Sequence, residues 1–257
     1  MPRVLYVAAF AAGACLGLAP SAVAQNDFEW TGQLAPGQRI EIQDLNGSIH
    51  ATAAPDGNII VTAVKKAGRR GSPTDVKIET AAGASGVTVC VIYDGSSGCR
   101  ASGAQEGSSS SKNNDTSVEF TVRVPAGVVL SAHTVNGSID ASGLQSDTDA
   151  ATVNGSVTVA TSSSARASTV NGSIKAALGQ APKAGTFSTT NGDVTVQLPT
   201  SANANVRAST VNGNIKSDFP LLIDTKRSPK QASGAIGAGG QELAISTVNG
   251  SVRLVRR

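Results

Sequence analysis

Aromatic side chains are scarce in this chain. Phe, Trp and Tyr make up 3% of the residues, and beyond residue 24 only Phe28, Trp30, Tyr93, Phe120, Phe187 and Phe219 remain. A membrane β-barrel needs aromatic girdles at both interfaces and long strands, so the composition speaks against one. Charge of either sign is also thin: 21 Lys and Arg face 18 Asp and Glu. Removing a leader that contains Arg3 would lower the net charge from +3 to +2. Basic residues adjoin only as Lys65-Lys66, Arg69-Arg70 and Arg256-Arg257. That pattern gives no cationic stripe, and nucleic acid is not an expected partner. Helical periodicity of useful length is missing throughout, and no apolar run after the first residues is long enough to span a bilayer.

The first residues do form an apolar run. Arg3 supplies a positive end, residues 4–19 are apolar, and Ala22-Val23-Ala24 is a small-x-small site before Gln25. This is the three-part pattern of a secretory signal peptide over residues 1–24. A transmembrane anchor would need a longer stretch. Ala12 stands where a lipoprotein signal at Cys15 would call for a large aliphatic residue. The mature protein, residues 25–257, is therefore expected in the periplasm, at the cell surface or outside the cell, without a stable membrane span. It keeps two cysteines, Cys90 and Cys99. An even pair in an exported chain is most simply a disulfide.

A hexapeptide recurs: LNGSIH from Leu45, TVNGSI from Thr134, TVNGSV from Thr152, TVNGSI from Thr169, TTNGDV from Thr189, TVNGNI from Thr210 and TVNGSV from Thr247. The Asn-Gly pairs are Asn46-Gly47, Asn136-Gly137, Asn154-Gly155, Asn171-Gly172, Asn191-Gly192, Asn212-Gly213 and Asn249-Gly250. From Asn136 the intervals are 18, 17, 20, 21 and then 37 residues, the last close to two periods. Apolar residues stand one before Asn (Val153, Val170, Val211), three after it (Ile139, Ile174, Val252) and four before it (Ile42, Phe187, Ile245). Positions two and four after Asn are polar. Such period-2 alternation on short, β-branched segments predicts an all-β domain of repeats.

Two architectures fit a unit of 17–21 residues. One is a meander of hairpins with Asn-Gly in type I′ turns. The other is a parallel β-solenoid with Asn-Gly at a corner. If the chain runs extended through the motif, Val, Gly and Ile share one face and Asn and Ser the other, which favours the solenoid. The apolar positions four and six before Asn fit the hairpin parity unless a corner intervenes at the Thr. The near-identity of the copies favours stacking, because stacking sets like residues on like and lets Asn and Thr form ladders.

Residues that carry enzyme chemistry are not gathered in the sequence. The row two after Asn is Ser48, Ser138, Ser156, Ser173, Asp193, Asn214 and Ser251; the row four after is His50, Asp140, Thr158, Lys175, Thr195, Lys216 and Arg253. A polysaccharide lyase or hydrolase on a β-helix needs carboxylates, or bases with calcium, on one face. His50 and His133 each adjoin a repeat and could meet only across neighbouring coils. Asp147-Thr148-Asp149 has the spacing of part of a calcium loop without its other ligands. No catalytic residue, metal or cofactor is expected. Asn-Gly-Ser also matches a glycosylation sequon, but a corner role accounts for all seven copies.

The repeated T-V-N-G-S-I, the stretch SVEFTVRVPAGVVLSAHTVNG, the SDFPL segment and the ending ISTVNGSVRL resemble the exported bacterial "putative adhesin" family, β-strand-repeat proteins of unknown function. The resemblance covers residues 28–257. It implies a right-handed β-solenoid in the cell envelope and brings no catalytic residues. Two Gly/Ser-rich insertions depart from the simple pattern, and mobile loops are expected near 95–114 and 224–240. Some antiparallel strands are expected in the N-terminal half, and residues 241–255 are expected to close the stack. The function these features suggest is a non-catalytic envelope scaffold binding a glycan, a surface or a partner protein. An accessory protein of the envelope stress response is a second possibility, and a glycan-active enzyme a third.

Overall fold

The structure, a computed structural model, describes residues 27–93, 98–101, 114–179, 183–226 and 228–257. The leader expected over residues 1–24 and most of the loop expected near 95–114 lie outside these residues. No α-helix occurs among the described residues; one 3₁₀ turn spans Pro73–Asp75.

The strands, in chain order, begin with β1 (Phe28–Gly32), β2 (Arg39–Gln43), β3 (Ile49–Ala54), β4 (Ile59–Lys66), β5 (Lys77–Gly83), β6 (Gly86–Ile92) and β7 (Ser117–Pro125). The middle set is β8 (Val129–His133), β9 (Ile139–Leu144), β10 (Thr148–Ala151), β11 (Val157–Thr161), β12 (Ala165–Asn171), β13 (Ile174–Leu178), β14 (Gly185–Asn191) and β15 (Val194–Leu198). Then follow β16 (Ala204–Asn212), β17 (Ile215–Ser217), β18 (Leu222–Asp224), β19 (Lys230–Ile236), β20 (Glu242–Asn249) and β21 (Val252–Arg256). They form two sheets, ordered β1-β4-β7-β3-β9-β11-β13-β15-β21-β17 and β18-β19-β16-β20-β14-β12-β10-β8-β2-β6-β5.

Reading the two orders together gives eight stacked coils: β6/β7, β2/β3, β8/β9, β10/β11, β12/β13, β14/β15, β20/β21 and β16/β17. Each coil lays one strand in each sheet, and successive coils pair in parallel. This is the solenoid, not the hairpin meander. Antiparallel strands cover the ends. At one end β4 lies on β7 and β5 on β6. At the other β19 lies on β16. Such covers matter because an open sheet edge is a template for pairing with another chain.

Like stacks on like inside the coils. Ile139, Val157, Ile174, Val194 and Val252 are partners in register and all are buried. Val159, Ala176, Val196 and Leu254 form the next row. On the other sheet the row Ala132, Ala150, Ala167, Phe187, Ile245 is uneven. Phe187 is fully buried and finds its room at Gly185, where an added Cβ would come within 2.9 Å of its ring. Large beside small keeps a thin core at native density.

Two expectations need correction. Residues 224–240 are not simply a loop: they contain β19, whose Ala232 and Ile236 are buried against the last coil. Its weakly apolar sequence, KQASGAI, hid a strand that needs only two inward side chains. Residues 241–255 do not close the stack either. The coil β20/β21 is inserted between β14/β15 and β16/β17, so the 37-residue interval is one coil, an antiparallel cover and a return.

Candidate functional site

Every repeat motif sits at the corner where the chain passes from one sheet to the other. The seven Asn side chains form a ladder. Asn136 donates Nδ2 to Asn46 Oδ1, Asn154 to Asn136, Asn171 to Asn154, Asn191 to Asn171, Asn249 to Asn191 and Asn212 to Asn249, all at 2.8–2.9 Å. Beneath it the Thr two before Asn points inward, and its hydroxyl donates to the Gly carbonyl of the adjacent coil. Thr134 reaches Gly47, Thr152 Gly137, Thr169 Gly155, Thr189 Gly172, Thr247 Gly192 and Thr210 Gly250. These buried hydroxyls are thus satisfied.

Gly is required by contact. A Cβ on Gly172 would lie 1.9 Å from the carbonyl oxygen of Gly155, and the same clash recurs at Gly137, Gly155, Gly213 and Gly250. Glycine here allows close backbone approach between coils, not a left-handed turn. At the end of the row, Gly213 has no further coil above it. Lys230 of β19 fills that place, donating Nζ to the Gly213 carbonyl at 2.6 Å and to Asn214 Oδ1 at 3.1 Å.

The corner also corrects the facing read from the sequence. Alternation does not run straight through Val-Asn-Gly. Thr is buried, and the residue before Asn turns outward: Val153 is 38% exposed, and Val170, Val211 and Val248 are each 41% exposed. Thr and Val have the same branched shape, and the hydroxyl that meets a Gly carbonyl decides which is inside.

The first motif departs from this pattern. Asp44 stands where later copies have Thr. It is buried; its Oδ1 accepts from the backbone N–H groups of Leu45 and Asn46, and its Oδ2 has no hydrogen-bond partner. Burial pushes its carboxyl up to about 7 against the pull of those two bonds. Tyr93, also buried, donates its hydroxyl to the Thr116 carbonyl at 2.8 Å, and burial first, then Asp44, raise its pKa. Neither residue stood out in sequence, because Asp44 replaces the Thr of the repeat only in the first copy and Tyr93 lies outside the repeats.

The outer polar row four after Asn lies on the first sheet in the spatial order His50, Asp140, Thr158, Lys175, Thr195, Arg253, Lys216. The inserted coil brings Arg253 between Thr195 and Lys216. His133 lies on the other sheet, with Nε2 2.8 Å from Ser131 Oγ, so the two histidines do not meet. Asp147 is occupied locally: Ser163 Oγ and the Ser164 N–H donate to it and, against the upward pull of partial burial, hold its carboxyl below the usual range. Among the described residues no group of three or more His, Cys, Asp or Glu is placed to hold a metal ion. Cys90 and Cys99 are bonded, with Cα atoms 5.6 Å apart.

A cavity of about 520 Å³ opens on the outer face of the second sheet, over β14, β20, β16 and β19. No sequence pattern marked it. Its lining combines Thr186, Arg207, Ser209, Gln231, Ser233 and Glu242 over a floor that includes Ala244 and Ser246.

Among solved structures, a "putative cell adhesion protein" from Clostridium sporogenes is 11% identical, with a TM-score of 0.41, covering 90% of this chain and 99% of that one. A "putative adhesin" from Bacteroides fragilis is also 11% identical, with a TM-score of 0.41, covering 89% and 96%. No curated protein matches the chain. Residues 38–255 match the family described as Toastrack DUF4097. A match over that much of the chain, with one Asn-Gly corner after another stacked into a single ladder, makes this protein a member of the Toastrack DUF4097 family.

Proposed function

We propose that the protein is a non-catalytic, adhesin-like scaffold, exported behind the leader at residues 1–24, that binds an extended partner in the cell envelope or at the cell surface. The observation that carries this reading is the unbroken stacking of coils, which sets equivalent polar side chains in rows about 4.8 Å apart. On the outer face of the first sheet, Thr158, Lys175, Thr195, Arg253 and Lys216 form such a row. A glycan chain or a peptide strand lying along it would meet a weak contact at each rung, and affinity would grow by avidity. The disulfide supports residence in an oxidising compartment.

The test is binding of the mature protein to isolated envelope and to glycan arrays, for single and combined Ala substitutions at Thr158, Lys175, Thr195 and Lys216, with and without EDTA. Binding should decline stepwise as substitutions accumulate and should survive the chelator. Complete loss from one substitution, or from EDTA alone, would overturn the reading.

A further inference from the structure

The cavity over β14, β20, β16 and β19 has the chemistry of a ligand site, and it is assembled by the out-of-order coil. In register across the four strands run two rows. One is Ser188, Ser246, Ser209, Gln231; the other is Thr186, Ala244, Arg207, Ser233. Because β20 lies between β14 and β16, Ala244 and Ser246 separate Thr186 and Ser188 of the sixth coil from Arg207 and Ser209 of the eighth and form the floor between them. At about 520 Å³ the space lies within the usual range for small-ligand sites, roughly 300–1,000 Å³.

Three features define what would fit. The floor is low: Ala244, Ser246 and Ser209 present a methyl group and two short hydroxyls, so a saturated ring can lie close to the backbone. Polar groups stand free around it. The hydroxyls of Thr186, Ser209 and Ser233 and the amide of Gln231 have no partner among the described residues. Each hydroxyl can donate and accept, as can the amide. Charge is balanced at the wall, where Arg207 Nε lies 3.3 Å from Glu242 Oε1. That contact leaves the terminal guanidinium nitrogens and the second carboxylate oxygen open. A fork of donors beside a fork of acceptors suits adjacent hydroxyls on one ring.

We propose that this cavity is a discrete binding site for a neutral saccharide chain, with Arg207, Glu242 and Gln231 bonding ring hydroxyls above a floor of Ala244 and Ser246. A polyanion finds Arg207 already offset by Glu242. A peptide strand finds no apolar pockets for alternate side chains, the usual source of specificity in strand recognition. The site is on the sheet opposite the Thr158–Lys216 row, so this proposal goes beyond the scaffold reading, and either can fail alone.

The experiment screens the mature protein against an array of neutral and uronic-acid oligosaccharides and measures the hits by calorimetry. Ser246→Phe fills the floor from an outward-facing position, and Arg207→Ala removes the donor fork; thermal melting confirms that both fold. At least one neutral oligosaccharide should bind, each variant should weaken it by about tenfold or more, and Lys77→Ala, exposed on β5 at the far edge of the same sheet, should leave it unchanged. The proposal is overturned if no neutral oligosaccharide binds, or if Ser246→Phe leaves binding intact. It is also overturned if only uronic-acid chains bind, or if Ser246→Phe abolishes capture of peptides from a random library instead.

Discussion

Substituting Gly172 by Ala tests the corner directly. The added Cβ would lie 1.9 Å from Gly155 O and 2.5 Å from Gly155 C, both backbone atoms. Contacts under 3.0 Å do not persist, so the coil must move by at least 3.0 − 1.9, about 1.1 Å. Among the bonds that cross that junction or the next are Thr169 Oγ1 to Gly155 O at 2.9 Å, Gly155 N–H to Asn171 O at 3.1 Å, Asn171 Nδ2 to Asn154 Oδ1 at 2.9 Å, Gly172 N–H to Asn191 O at 3.0 Å and Thr189 Oγ1 to Gly172 O at 2.9 Å. Overpacking costs about 1–3 kcal/mol, and weakening two or three hydrogen bonds adds about 1 kcal/mol each. The expected loss is about 3–6 kcal/mol. Gly57→Ala is the control. Gly57 has φ +75°, and a Cβ there meets nothing within 4 Å. Its cost is that of a left-handed L-residue, about 1–2 kcal/mol. Urea unfolding of the oxidised protein measures both. Equal losses would mean that Gly172 serves only as a turn residue, and the close-approach argument would be wrong.

Three further outcomes follow from the core and its exceptions. Ile174→Asp puts an unpaired charge at a fully buried position and should destabilise by more than about 3 kcal/mol. Ser173→Asp keeps an acceptor for the Asp193 N–H and should stay within about 1 kcal/mol; equal melting shifts would refute the facing. Thiol titration of denatured, unreduced mature protein should find close to no free thiol, since Cys90 and Cys99 are bonded; two per chain would contradict this. Asp44 gives a pH signature. Its carboxyl is raised from 3.8 to about 7 in the fold, so the folded state holds the proton more tightly than the unfolded chain. Stability from this group is therefore present in full below about pH 4 and is lost as pH rises through about 7. The loss is at most roughly 4 kcal/mol, from about three pKa units. Asp44→Asn should flatten the fall in melting temperature between pH 5 and pH 8; an unchanged slope would show that Asp44 is not its source.

The repeat made the stacking legible because it is a contact pattern written in sequence. Asn must meet Asn for amides to bond in a ladder, and Gly must meet Gly for coils to approach, so both recur at the coil period. The facing of Val was misjudged for a local reason. Alternation is a property of a straight strand, and a corner resets it without altering the composition on either side. Asp44 was missed because one buried carboxylate among Thr hydroxyls leaves no pattern to count. The cavity was missed because its residues lie on β14, β16, β19 and β20, and nothing in the chain order of Thr186, Arg207, Gln231 and Glu242 says which strands adjoin.

That order has a physical logic at both ends. The chain builds its first motif in the second coil, passes outward through β4, β5 and the outermost coil β6/β7, and returns to start the third. At the far end it lays the eighth coil, adds the antiparallel β18 and β19, and returns to place its last motif in the seventh. The first and last Asn-Gly corners are therefore each clamped against a neighbouring coil on both sides rather than left to fray, as chain ends ordinarily do. The outermost coils are made from internal segments; β4 and β5 cover both strands of the first coil, and β19 covers β16 of the eighth. Only the eighth coil presents a Gly carbonyl with no coil beyond it, and Lys230, supplied by one of those covers, occupies it. A spacing of 37 residues can be read as two periods of a regular stack, but two ordinary coils in sequence would leave that carbonyl and the β16 edge of the second sheet open. Insertion of β20/β21 leaves the eighth coil and its cover outermost, and the same insertion lays the floor of the cavity on the second sheet.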